Sequence, residues 1–424
     1  MRNFNVRWYQ SILIIFCFFV YFFPFKVYGF DPRLLVLFIY FVFAYKDKFS
    51  LRLIDAKYVK CLVFPLFMLI FTLFSGVINN MSMEGTFIIF IFQIIYLIFL
   101  SYCVYYITKR CCKSIDFYII TRYFLLVLVI QSIVAIAMFV SQPICSFLFE
   151  LQDIDPNSRV LEMFLGVRLI GLGCFYFGAG VIYGLGLIFI MPLLLTTSSS
   201  KQRVKLMMLY AYLFVVGIFF ARTTLVGAAI SFIYLFSSIS VPRIRRTMIA
   251  VTRQFFVFLL VISGVLVVLY NSSPRIQEKY GAIVSFGFEA FINLYENGEF
   301  STKSSDGLKE YHLSIWPKNV KTYYVGDTRW TNGDSYYGDS DVGYIRLLYY
   351  FGIPGVILFI LYELSAIKAI SSAYGIYVFK DFFMALFLYS LILLIKGYVD
   401  VAALLFIYLH YKYTDTKYEN CIFY

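Results

Sequence analysis

The chain has 424 residues, of which 62% are hydrophobic and only 14% are charged, and its formal net charge is +12. Soluble globular domains have roughly 45–50% apolar and about 25% charged residues, so this composition excludes a soluble protein. The bilayer must be the solvent for most of the apolar surface. Because Lys and Arg collect in the cytoplasmic loops of membrane proteins, the positive charge does not indicate nucleic acid binding.

Twelve hydrophobic segments are predicted to span the membrane, although several are shorter than the ~20 residues that a crossing helix needs. The first segment is interpreted as an uncleaved span because no small-residue cleavage site follows it. The apolar stretch 204–240 is too long for one span and is predicted to turn at Ala221–Thr224. The predicted spans are 10–24, 33–45, 61–78, 86–107, 118–141, 172–195, 204–220, 223–240, 254–270, 342–362, 378–395 and 398–412.

The distribution of basic loops predicts the orientation. With twelve spans, four Lys- and Arg-rich loops and both termini lie on one side, which the positive-inside rule makes cytoplasmic. Lys26 and Arg33, near the first outer loop, are a minor exception, and the outer loop 79–84 contains no Lys or Arg. The four basic loops are 46–60, 109–113, 201–205 and 243–246.

Two longer polar segments, 142–171 and 271–341, are then predicted to lie outside the cytoplasm. This divides the chain into nine spans over 1–270, a large outer loop over 271–341, and three spans with a cytoplasmic tail over 342–424. Long loops are usually functional or disordered, and the many aromatic residues of 271–341 argue against disorder. Part of the loop is expected to fold over the membrane mouth as short helices.

Three arginines, Arg168, Arg222 and Arg346, are predicted to lie near the outer interface. Charges at membrane depth are costly and tend to be functional. Arg346, just inside the tenth span, could equally extend its charge to the headgroups. The glycines after Arg168 are explained by close helix packing, which does not explain the arginine. Guanidinium groups bind phosphate in bidentate geometry, so a lipid-linked pyrophosphate is the predicted ligand.

Aspartates at the end of the large loop are the candidates for acid–base chemistry. Asp341, nearest to the tenth span, is the candidate general base for a sugar hydroxyl, and Asp339 is a secondary loop contact. A solvated acidic loop is the alternative, and the spacing of a calcium-binding EF-hand is absent. His312 could titrate near neutral pH. Since only His312 and His410 occur, no histidine metal centre is predicted.

Three stretches of the sequence resemble the Wzy-type O-antigen and polysaccharide polymerases, which are related to the O-antigen ligases. Arg222–Gly227 looks like the family's Arg-x4-Gly at the head of a span, and Arg168–Gly171 resembles its earlier arginine segment. Asp339–Tyr344, with Gly352–Gly355 after it, resembles the exit from the family's large periplasmic loop. The plan of spans and loop covers most of the chain.

The resemblance implies an all-α polytopic protein of about twelve helices with a GT-C-like fold, in the bacterial inner membrane. The implied activity is polymerisation of undecaprenyl-pyrophosphate-linked repeat units into O-antigen or a related surface polysaccharide at the periplasmic face. No cofactor or metal is expected. The expected partners are the lipid-linked oligosaccharide, the bilayer and a chain-length regulator protein, but no nucleic acid. Arg168, Arg222 and Arg346 are expected to bind pyrophosphate, with Asp341 in the catalytic role.

Three other functions fit the same sequence. An O-antigen ligase shares the plan, but the ligases carry a histidine near the position of Asp341, which favours a polymerase. A lipid-linked oligosaccharide flippase would not need the long loop and should carry charges deep in several spans. A non-catalytic scaffold would use the loop as a binding surface.

Overall fold

A computed structural model describes residues 7–47, 56–80, 84–112, 115–155, 166–173, 175–197, 199–237, 274–299, 301–311, 314–333, 335–371 and 377–410, with residues 249, 252–254 and 257. These residues form an all-α membrane protein without a sheet core. Six of the described helices are long and apolar enough to cross a membrane, namely those around 57–78, 88–111, 117–140, 176–196, 200–220 and 343–371.

Nine helices precede residue 238 in the described part of the chain. They are α1 (Trp8–Phe22), α2 (Arg33–Lys46), α3 (Ala56–Ile78), α4 (Thr86–Cys111), α5 (Phe117–Val140), α6 (Gln142–Leu151), α7 (Tyr176–Thr196), α8 (Ser200–Phe220) and α9 (Thr224–Ser237). The later elements are α10 (Pro274–Asn297), α11 (Lys303–Glu310), α12 (Val320–Val325), β1 (Thr331–Asn332), β2 (Ser335–Tyr336), α13 (Gly343–Ser371), α14 (Tyr377–Lys396) and α15 (Val401–Leu405).

Most of the predicted spans coincide with helices to within about one turn, but the tenth and twelfth differ. The tenth runs on to Ser371, beyond its predicted end, and α13 is interrupted at Gly352, whose φ of 70° suits glycine. The part before the interruption packs against the loop, where a Cβ on Gly326 would overlap the Tyr350 carbonyl oxygen. The twelfth, 398–412, is only the short α15 followed by a 3₁₀ turn at Phe406–Tyr408. The ninth, 254–270, lies almost wholly outside the described residues.

Helix α7 is the centre of the bundle. Every residue from Ala179 to Leu195 is buried, which is the pattern of a helix that is hydrophobic on all sides. Its glycines let neighbouring helices come close: a Cβ on Gly227 of α9 would overlap the backbone of Gly184. Such small-residue contacts let helices pack tightly in membranes.

The contact between Gly184 and Gly227 gives a stability prediction. Gly227→Ala should lower the melting temperature in detergent, because overpacking a helix interface typically costs about 1–3 kcal/mol. Gly307→Ala is the matched control, since Gly307 is also helical and a Cβ there meets nothing within 4 Å. The control should leave the melting temperature unchanged or slightly raised. Fluorescence-detected size exclusion after heating measures both, and an unchanged Gly227→Ala protein would contradict the packing argument.

Loops at the two ends of the bundle make separate sets of contacts. At one end, here called the mouth end, Tyr28 N donates to Leu151 O at 2.9 Å and Asn79 Nδ2 donates to Gly326 O at 3.0 Å. At the opposite end, Asp47 accepts from Tyr106 and pairs with Arg110 at 3.1 Å. The described part of 274–341 contacts the mouth end at Asn79, Glu84 and Phe219, so this segment lies over one end of the bundle.

Candidate functional site

The hairpin between α8 and α9 positions the first arginine. Helix α8 ends at Phe220, and the chain turns where the sequence predicts it, with Thr224 N donating to Ala221 O at 3.0 Å. Arg222 therefore projects at the mouth end, and the segment with Arg168 lies beside it because Leu169 N donates to Phe219 O at 3.0 Å. Two arginines that are far apart in sequence become neighbours.

Arg168 and Arg222 share one aromatic ring. The guanidinium carbons lie 4.2 Å and 4.7 Å from the centroid of Phe286, on α10. Arg222 also forms an ion pair with Glu289, one turn further along the same helix. Glu289 in addition accepts from the backbone N–H of Lys303 at 2.8 Å. We call Arg168, Arg222, Phe286 and Glu289 the arginine pair site.

The arginine pair site keeps a positive charge. Its two guanidinium groups outnumber the single carboxylate of Glu289, so an anion approaching it is attracted. Burial, with the charge of Arg222 beside it, lowers the pKa of Arg168 from 12.5 to about 10. Arg168 is still protonated at neutral pH, but its charge is incompletely solvated, and an anionic ligand would supply what water does not.

Arg346 lies in a second place, beneath the loop. Its guanidinium carbon is 3.9 Å from the Trp330 ring centroid and 3.8 Å from that of Tyr336, and the residue is only 9% exposed. This burial is incompatible with a side chain that simply extends its charge to the headgroups. The aromatic rings hold the cation by cation–π contact, which gains strength where water is excluded.

Asp341 lies just before α13 and has a partner, Lys396, that is not among the predicted site residues. Lys396 at the end of α14 places Nζ 3.8 Å from Asp341 Oδ2, and both side chains are more than a third exposed. Asp341 also acts electrostatically on Arg346. We call Asp341, Arg346 and Lys396 the aspartate site. Like the arginine pair site, it combines one carboxylate with two cations, but the side chain of Asp341 is 37% exposed, against 19% for Glu289.

The first turn of α7 connects the two sites. Tyr176 lies 5.7 Å from the guanidinium carbon of Arg168. The next residue, Phe177, packs on Gly397, where an added Cβ would lie 3.2 Å from the ring. Gly397 in turn contacts Gly343, at which a Cβ would lie 2.8 Å from the Gly397 carbonyl oxygen. The arginine pair site and the aspartate site therefore flank the same turn at the mouth end.

Glu84, in the short loop between α3 and α4, holds the β1–β2 hairpin over the aspartate site. Its carboxylate accepts from the backbone N–H groups of Trp330 and Thr331 at 3.0 and 3.2 Å. The Glu84 carbonyl accepts from Tyr350 Oη at 2.6 Å. These bonds fix Trp330 where it covers Arg346, so the loop contributes directly to the site.

Not every predicted residue joins these two sites. His312 lies outside the described residues. Asp339 is exposed, with a φ of 55°, and accepts from Ser335 at 3.4 Å within the hairpin. Within the described ranges, no group of three or more His, Cys, Asp or Glu side chains is arranged to hold a metal ion.

Glu289 and Lys396 complete the sites but were not predicted. Lys396 lies between the last two predicted spans. Because charged residues at membrane depth tend to be functional, its position could have indicated it from the sequence. Glu289 has no such signal, because it is one of many polar residues in the long loop and only the fold brings it to Arg222. Comparison with protein-family models, with curated proteins and with solved structures yields no match.

Proposed function

We propose that this protein is a glycosyltransferase that polymerises undecaprenyl-pyrophosphate-linked oligosaccharide repeat units at the periplasmic face of the bacterial inner membrane. The proposal includes the Wzy-type assignment, the twelve-span GT-C-like plan and cytoplasmic termini, with the mouth end facing the periplasm. The observation that carries it is the pairing of Arg168 with Arg222 at the mouth end, with the partly exposed carboxylate of Asp341 on the other side of the first turn of α7.

The reaction needs two kinds of group. The bond between the anomeric carbon of the donor sugar and the pyrophosphate oxygen breaks, and the leaving pyrophosphate keeps the electron pair. Arg168 and Arg222 supply positive charge where that negative charge develops. An acceptor sugar hydroxyl forms the new glycosidic bond and loses its proton, which Asp341 takes as general base. Arg346 and Lys396, which lie next to Asp341, add positive charge on the side of the site where the acceptor hydroxyl is deprotonated.

A flippase is the main rival, and one buried acidic residue is relevant to it. Glu363 of α13 is fully buried inside the bundle. Its two carboxylate oxygens accept from the backbone N–H groups of Val401 and Ala402 at 3.0 and 3.1 Å. Those bonds give Glu363 a role in holding the chain at residue 401, so it does not require a transport pathway. The function therefore rests on the groups at the mouth end.

Deletion of the gene tests the proposal. The surface polysaccharide should lose its long ladder on a gel, while single repeat units remain attached to their acceptor. Loss of all units, including the single one, would indicate a ligase or a flippase instead. A ladder of normal length and amount in the deletion strain would contradict every one of these functions, and plasmid-borne wild-type protein is the control for restoration.

A further inference from the structure

A groove in the large loop lies apart from the charged sites. It is open to the surface and has a volume of about 500 Å³. Its lining comes from the segment before α12, from α12 and the residue that follows it closely, from the β1–β2 hairpin and from the first part of α13. Trp316, Asp327, Tyr337 and Tyr349 are the lining residues that matter here. A volume of this size is within the range of small-molecule binding sites.

Its aromatic wall is held in a fixed geometry. The rings of Tyr337 and Tyr349 meet edge to face, with centroids 5.6 Å apart and an interplanar angle of 90°. Gly338 packs directly on the Tyr349 ring, where an added Cβ would lie 2.6 Å from a ring carbon, and its φ of 77° suits glycine. Trp316 is instead 54% exposed. A large exposed indole beside a fixed pair of rings is a stacking surface for a ligand.

Asp327 gives the groove a polar floor. Its carboxylate accepts from Thr322 Oγ1 at 2.8 Å and from Tyr337 Oη at 3.2 Å, and its backbone N–H donates to Tyr349 O at 2.7 Å. Burial, with the Asp327 charge nearby, raises the pKa of Tyr337, so its hydroxyl remains a donor. A carboxylate can accept about four hydrogen bonds. Asp327 therefore has acceptor capacity beyond these two side-chain donors.

The hairpin places this groove next to the aspartate site. Successive side chains of an extended strand point to opposite faces. Tyr336, in β2, lies on Arg346, whereas the following Tyr337 lies in the groove and donates its backbone N–H to Trp330 O at 3.2 Å. Tyr336 of the hairpin thus contacts Arg346, and the next residue, Tyr337, lines the groove.

We propose that this groove binds carbohydrate, as a subsite that holds sugar units of the glycan chain outside the membrane. Sugars present apolar ring faces that pack on indole and phenol rings, and hydroxyl groups that donate to carboxylates. Trp316 supplies the face and Asp327 the acceptor. The natural ligand rests on the proposed polymerase function, since a glycan whose reacting sugar lies at Asp341 would extend across the hairpin into the groove.

Binding to the purified full-length protein in nanodiscs tests this subsite. Two sets of probes are used: lipid-free surface polysaccharide released from the source cells by mild acid, and defined neutral, amino and acidic hexasaccharides. Calorimetry should show binding of at least one probe. Trp316→Ala and Asp327→Asn should each raise the Kd about tenfold or more, which corresponds to a loss of roughly 1.4 kcal/mol or more of binding free energy. Trp316→Phe, which keeps a ring, should recover part of the affinity.

Tyr324→Ala is the matched control, because Tyr324 is a loop aromatic that is 67% exposed but does not line the groove. It should bind as the wild type does. No binding of any probe at millimolar concentration, or equal binding by the wild type and both groove variants, would overturn the subsite. The two proposals fail separately: a deletion strain with a normal ladder removes the polymerase function, whereas glycan binding by the groove is measured on the protein itself.

Discussion

Arg222→Ala should abolish the long polysaccharide ladder while the protein still inserts in the membrane. Arg222 is the only charged residue of the turn between α8 and α9. Any small polar residue could form that turn, so the topology does not require an arginine there. Removing one group that stabilises developing negative charge typically costs about 10²–10³ in rate. At that loss, bands longer than a few repeat units should disappear. Immunoblotting of membrane fractions checks that the variant accumulates.

Arg222 also anchors α10 through Glu289, so the loss needs a control that separates charge from anchoring. Glu289→Gln removes the ion pair but leaves both arginines in place. It should retain a measurable ladder, whereas equal loss in both variants would mean that Arg222 acts only as an anchor. Arg33→Ala is the matched surface control, since Arg33 pairs with Asp31 at 2.6 Å at the same end of the bundle. Its ladder should be normal.

Asp341→Asn is expected to give the second large loss, about 10²–10⁴ in polymer formed per unit time, as for removal of a general base. The amide keeps the size of the side chain but cannot accept the proton of the acceptor hydroxyl. Polymer formation is measured on membranes supplied with lipid-linked repeat units. Asp306→Asn, in the short helix α11 of the same loop, none of whose residues is fully buried, is the control and should be as active as the wild type.

The ion pair with Lys396 allows two roles of Asp341 to be distinguished: a general base, or a group that only neutralises the charge of Lys396. If Asp341 served only to neutralise Lys396, the double variant Asp341→Asn with Lys396→Met would recover activity, because the unbalanced cation would be gone. A general base cannot be replaced in this way, so the double variant should remain as inactive as Asp341→Asn alone. Recovery would therefore remove Asp341 from the proposed chemistry and leave it a structural role.

Hydropathy and charge could predict the helices and their turns because each depends on local residues. The hairpin at Arg222 is an example: an apolar run too long for one span must turn where the polar residues occur. The same reasoning failed at α13, since one glycine in a left-handed conformation breaks the helix and hydropathy does not register it. Gly352 is needed there because a Cβ would lie 2.7 Å from the Tyr323 carbonyl oxygen, a contact made only in the folded loop.

The candidate sites were predictable only in part, for a similar reason. Because a charge at membrane depth is costly, the sequence indicated Arg168, Arg222 and Arg346 one by one. Their spacing could not show that the first two contact the same phenyl ring and that Trp330 covers the third. Partners such as Glu289 come from distant segments, and a carboxylate in a polar loop carries no local sign of its pairing. The sequence does not show which distant segments come into contact, and these contacts form the sites.

The buried carboxylate of Glu363 has a consequence for how the protein is made. Helix α13 is synthesised before the residues whose backbone N–H groups satisfy that carboxylate, Val401 and Ala402. A charged residue inside a transmembrane helix costs up to about 2.5–3.5 kcal/mol on the insertion scale, and Glu363 lacks these two partners until residues 401 and 402 have been made. During synthesis α13 must therefore carry this cost, or remain beside the insertion machinery, until the chain beyond Asp400 arrives. Closure of the bundle is thus a late event in biogenesis.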